Sequence, residues 1–125
     1  MDGAEFARVR SRLGKTQNEM SQLLGISLQA IHSYEQGWRE VPPHAERHAL
    51  FLLALRRGVT RGKPCWSVKK CPRELRERCP AWEFKAGRIC WLVNGTLCEG
   101  TAYKTWRRKM ESCRSCQVLV PLLKE

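Results

Sequence analysis

At 125 residues and a net charge of +11, the chain has the size of one ordinary domain or two small ones and is strongly basic. That charge points to an anionic partner or an anionic internal group. The longest apolar run, residues 49–55, is far too short to span a bilayer. The first residues mix acids and arginines without the apolar core of a secretory signal, so a cytoplasmic protein is expected.

Residues 4–57 carry helical periodicity with clear stops. Phe6, Val9 and Leu13 share one face of a first segment that Gly14 ends. Thr16 and Glu19 form a capping box for a second helix that buries Met20, Leu23 and Leu24 and stops at Gly25. Ser27 caps a third helix carrying Ile31 and Tyr34, closed by Gly37, and a fourth follows Pro42-Pro43. Two short helices joined by the tight turn Leu24-Gly25-Ile26-Ser27 have the spacing of a helix-turn-helix. The apolar run Leu50-Phe51-Leu52-Leu53 fits either a buried closing helix or part of a dimer face.

The stretch TQNEMSQLLGISLQAIHSYEQG, with Thr-Gln at its start, Gly at the turn, Ser at the next cap and Glu-x-Gly at its end, resembles the helix-turn-helix of the phage repressor and Cro (xenobiotic-response-element) family. The resemblance covers residues 5–57; Met20 and Ser21 depart from its usual Leu-Ala pair. It implies a double-stranded DNA operator as partner and, commonly, a homodimer on two half-sites. It also implies that Gln17 meets a backbone phosphate, that Ser27 caps the recognition helix at the DNA, and that Leu28, Gln29, His32 and Ser33 face base edges. Gln36, Trp38 and Arg39 would lie near phosphates, and Arg10 and Glu35 would form a structural ion pair. Gln29 has the donor–acceptor pair for adenine and Leu28 a methyl for thymine. A generic short-helix bundle is the plainer alternative.

Residues 58–64, rich in Gly and basic residues, read as a linker between a 1–57 DNA-binding domain and a 65–125 module. The two parts differ sharply in charge: residues 1–58 hold 8 basic and 6 acidic residues, a net +2, and residues 59–125 hold 15 and 6, a net +9. All seven cysteines, Cys65, Cys71, Cys79, Cys90, Cys98, Cys113 and Cys116, lie in the second part. An odd number cannot pair off within one chain, and structural disulfides are uncommon in the cytosol. Only Cys113-x2-Cys116 has the spacing of a metal knuckle. Cys65-Trp66 is echoed by Cys90-Trp91, and Cys71-Pro72 by Cys79-Pro80. Cys-Pro is frequent beside iron–sulfur ligands.

Over residues 65–116 this half resembles a small bacterial cysteine module with two Cys-Trp pairs, the two-CW domain; the resemblance brings no ligand with it. About four of the seven thiols would serve a cluster or an ion, with iron–sulfur favoured over zinc by Cys-Pro and by the lack of paired knuckles. Redox thiols without metal and simple packing are the alternatives. RELRER (73–78) and TWRRKM (105–110) are either solvated faces or phosphate contacts. His44 and His48 read as a surface pair, and residues 117–123 pack on the module or on a second copy.

The expected fold class is mainly α: a helix-turn-helix bundle of four to five helices plus a small cysteine-rich module stapled by a metal or cluster. The expected function is transcription regulation by sequence-specific DNA binding, with the cysteine module sensing redox state, oxygen or metal. The alternatives are the same regulator with a purely structural zinc, or a thiol or iron–sulfur redox protein. No Ser-His-Asp set, carboxylate pair or Gly-rich phosphate loop suggests an enzyme.

Overall fold

A computed structural model of the chain describes residues 1–58, 62–98 and 100–124. The protein is mainly helical, with no strand among the described residues. It divides into two compact units, Met1–Arg56 and Arg57–Glu125. The expected linker, residues 58–64, falls within the span of the second unit, and its residues 59–61 lie outside the described residues. Among the described residues no helix is long and apolar enough to cross a membrane.

The first unit is built on α1 (Gly3–Arg12), α2 (Gln17–Leu24), α3 (Leu28–Gln36) and α4 (Pro43–Arg57). Side chains satisfy the amides left open at three N-termini. Asp2 accepts from the Glu5 amide at 2.8 Å, Thr16 and Glu19 close their box at 3.1 and 2.9 Å, and Ser27 accepts from Ala30 at 3.0 Å. Gly25 ends α2 at φ +66°, a conformation that costs a Cβ-bearing residue, and the Ile26 amide then returns to Ser21 at 3.1 Å. Phe6, Met20, Ile31, Tyr34 and Leu50 fill the core, with Phe6 meeting the Tyr34 ring edge-on at 5.7 Å. Leu50 and Leu53 are buried while Phe51 and Leu52 are half-buried; Leu23, expected inside, is exposed.

One ion pair fixes α3 against α1. Arg10 donates through Nε and Nη2 to the two carboxylate oxygens of Glu35, at 2.7 and 2.9 Å, and through Nη1 to the Lys15 carbonyl at 2.9 Å. The Glu35 side chain keeps only 7% of its exposure. Burial acts to raise its pKa, but hydrogen bonds from Arg10 and Gln17 outweigh it and hold the carboxyl below its usual value.

The second unit is made of short pieces: α5 (Cys65–Val68), α6 (Arg73–Arg76), α7 (Pro80–Glu83), a 3-10 turn (Cys90–Leu92), α8 (Trp106–Cys113) and α9 (Val120–Lys124). Pro72 and Pro80 set fresh helix starts, and Lys70 and Lys85 take left-handed φ after α5 and α7. Trp91, Trp106, Met110, Leu119 and Leu122 form its core, so residues 117–123 are partly spent on this unit itself. The Cys65 amide donates to the Gly87 carbonyl at 2.8 Å. A Cβ at Gly87 would lie 2.6 Å from the Trp66 ring, so only bare backbone fits beside that indole.

Replacing Arg10 by Met should cost a few kcal/mol, toward the lower end of the ~3–5 kcal/mol seen when a buried carboxylate loses its partner. The depressed Glu35 pKa gives stability that is full above the unfolded value near ~4.3 and is lost as pH falls through the lower folded value. Urea unfolding of wild type and Glu35→Gln should thus differ most at neutral pH and converge in acid.

Candidate functional site

Two arrangements of functional side chains lie in separate units. In the first, α3 presents Leu28, Gln29 and Gln36 to solvent, with Leu28 47% exposed, and Ser27 is exposed at its cap. His32 is half-buried with its ring edge-on to Trp38 at 5.3 Å, and Trp38 itself is 70% exposed. Arg39 places its guanidinium 5.5 Å from the Tyr34 ring centre. Gln17 donates to Glu35 at 3.2 Å, bracing the clasp that holds α3.

Ser33 departs from expectation. It is buried at 9% exposure, and its carbonyl accepts the Gly37, Trp38 and Arg39 amides that finish the helix. The exposed face of α3 therefore runs Leu28, Gln29, His32, Gln36. At about 100° per residue Ser33 falls ~140° round from Leu28 and Gln36 only ~80°.

In the second unit a cavity of about 70 Å³ is lined by thiols, with Cys65, Cys71, Cys79, Cys90 and Cys98 all on its wall. All seven cysteines are free thiols. Cys113 and Cys116, the knuckle-spaced pair, are buried and are not among the lining residues. The wall also carries Trp66 and Trp82, whose rings meet edge-on at 4.9 Å, and Arg76, stacked on Trp82 at 4.8 Å. The Cys79 sulfur accepts the Leu97 amide at 3.2 Å. Cys71 lies just ahead of α6, Cys79 caps α7, and Cys65 and Cys90 begin α5 and the 3-10 turn.

The electrostatics of these thiols are uneven. Cys65 is lowered to about 7, chiefly because Cys90 donates a hydrogen bond to it. Cys90, which keeps the shared proton, is pushed well up. Burial first, and neighbouring thiols second, raise Cys71 and Cys98; burial also raises Cys113. Lys109 is buried at 3% exposure and donates to Thr96, a cavity-lining residue. Its positive charge favours the thiolates of Cys65, Cys90, Cys98 and Cys113.

Two features went unseen in the sequence. TWRRKM reads as a basic patch, yet of its basic residues only Arg107 and Arg108 are exposed, while Trp106 and Lys109 turn inward. The signal was present: Trp106, Lys109, Met110 and Cys113 follow i, i+3, i+4, i+7, so Lys109 sits in an apolar stripe. RELRER likewise sends Arg76 onto Trp82, with Arg73 and Arg78 left exposed. His44 and His48 are exposed on α4.

The donor chemistry of the cavity suits a thiophilic group. Among the described residues no three His, Cys, Asp or Glu side chains converge on a point where one ion would be held. The sulfurs stand around a void instead, several times the ~10–15 Å³ that admits a single water. The Nε of Arg76 is buried on this wall without a hydrogen-bond partner, a donor suited to an anion.

Compared with known protein families, curated proteins and solved structures, the chain has no significant match.

In the reduced, metal-free chain Cys65 should be alkylated first by iodoacetamide, with half-maximal rate near pH 7. Cys90→Ala removes the donor, so the Cys65 rate at pH 7 should fall several-fold. Peptide mapping by mass spectrometry reads both.

Proposed function

We propose that the chain is a sequence-specific DNA-binding transcriptional regulator whose cysteine unit holds an iron–sulfur cluster or metal and senses redox state, oxygen or metal through it. The observation that carries the DNA reading is the α3 face, where Leu28, Gln29 and Gln36 stand exposed on a helix capped by Ser27 and clamped through Glu35. A helix held that firmly loses little conformational freedom on entering a major groove, and Gln29 has the paired donor and acceptor that adenine requires. Trp38 and Arg39 follow the helix, where an exposed indole and a guanidinium suit the sugar–phosphate wall. A homodimer on half-sites about one helical turn apart is the expected assembly.

The sensing half of the reading is supported by the five thiols on one cavity wall. A second reading, redox thiols without metal, is favoured by the Cys65–Cys90 contact, which pairs an acidic thiol with a proton-holding neighbour. The two readings part on composition. The first expects iron or another metal in protein purified without oxygen. The second expects none, with air converting Cys65 and Cys90 to a disulfide.

A binding site selected from a randomised duplex pool tests the DNA reading. Gln29→Ala should weaken that site by about tenfold or more, in line with ~1–3 kcal/mol per bidentate base contact, and leave scrambled DNA unchanged. An equal loss on both would make Gln29 a bystander. Affinity for the selected site should also change between anaerobic, air-oxidised and chelator-treated protein; identical affinities in all three would remove the sensing role.

A further inference from the structure

The seven thiols are not equivalent. Cys65 and Cys90 each precede a tryptophan, Cys71 and Cys79 each precede a proline, and these four all line the cavity. They are also one another's neighbours. Cys65 shares a hydrogen bond with Cys90, and Cys71 feels the charges of Cys79 and Cys65. The Leu97 amide aimed at the Cys79 sulfur is the kind of contact that stabilises a ligating thiolate. Cys98, the fifth thiol on the wall, belongs to neither the Cys-Trp nor the Cys-Pro echo. The internal echo in the sequence and the cavity wall therefore meet in these four residues.

The charges around the cavity select the kind of occupant. Lys109 is an ammonium taken out of water, and its hydrogen bond goes to a neutral hydroxyl, that of Thr96. Among the described residues no carboxylate is paired with it. A buried cation so placed needs negative charge close by. The Arg76 Nε, also buried and without a hydrogen-bond partner, lies on the same wall. A [4Fe–4S]²⁺ core held by four thiolates carries a net charge of about −2, which answers both cations.

Resting on the reading that this unit holds a thiolate-ligated group, we infer that Cys65, Cys71, Cys79 and Cys90 ligate an iron–sulfur cluster seated in the cavity, with Lys109 as its built-in counter-charge. Cys98 and the knuckle-spaced Cys113 and Cys116 are then not ligands. The cluster supplies an electron-accepting centre; the chain supplies its four sulfurs, the Leu97 amide on one of them, and cations that favour the added electron.

The test uses the full chain, purified without oxygen and reconstituted with ferrous iron and sulfide. Iron, acid-labile sulfide and visible absorption are read for Cys→Ser variants at 65, 71, 79 and 90 and Cys→Ala variants at 98, 113 and 116, with far-ultraviolet circular dichroism to show that each folds. The first four should lose iron by about tenfold or more, and the last three should keep it. Iron kept by any of the first four, or lost from any folded variant of the last three, overturns the ligand assignment alone. A wild-type chain that takes up no iron overturns the broader cluster reading with it. The reduction midpoint gives a second readout that a merely structural lysine would not move. Lys109→Met should shift it to more negative potential and Lys109→Arg should leave it near wild type; an unchanged midpoint in Lys109→Met removes the counter-charge role.

Discussion

Taking an ionised group out of water costs several kcal/mol per ion unless an opposite charge or a full set of hydrogen bonds answers it. Both units of this chain are arranged around that constraint. In the first, the charge is answered within the protein: Arg10 and Glu35 meet through two bonds, and Gln17 and the Lys15 carbonyl take up further capacity. The clasp holds α3 firmly, since it ties the C-terminal end of that helix to α1 and to the start of α2. In the second, Lys109 is answered by a hydroxyl and by the nearness of thiols that can ionise. One buried charge is answered by a carboxylate, the other by a hydroxyl beside thiols.

The two units also differ in how their backbones are held. The first relies on caps and regular helices, so its parts are stable where they stand. The second relies on four-residue helices separated by prolines and left-handed turns, and much of its backbone hydrogen bonding is local. Short elements of this kind gain little from helix propagation. Their positions are set by what they pack against in the unit's core.

Legibility in the sequence followed the same division. The helix ends of the first unit were readable because each is written locally: Thr16 with Glu19, Gly25 beside Ile26, Ser27 three residues ahead of Ala30. Ser33 lies off the Leu28 face because i+5 turns too far round a helix to share it. In the second unit the local cue and the cavity wall fall on different cysteines. Cys113-x2-Cys116 is the tightest spacing in the chain, yet the cavity is lined by cysteines 65 to 98, brought together by tertiary contacts that spacing alone does not encode. The Cys-Trp and Cys-Pro echoes were visible, but their meaning depends on a wall that only the folded unit provides. Lys109 was missed because a lysine within a basic run reads as solvated, although the stripe of Trp106, Met110 and Cys113 places it inside.

Trp38 has a practical consequence. It is the sole tryptophan among residues 1–58, and the other four, Trp66, Trp82, Trp91 and Trp106, all belong to the cysteine unit. At 70% exposure its indole sits in water, so its emission belongs at the red edge of the protein's fluorescence, whereas Trp91 and Trp106 belong at the blue. A thiolate-bound chromophore near Trp66 and Trp82 would quench the cysteine unit's indoles by energy transfer. The chain therefore carries its own two-colour reporter, in which events at the end of α3 and events at the sulfurs are separable by wavelength without any added label.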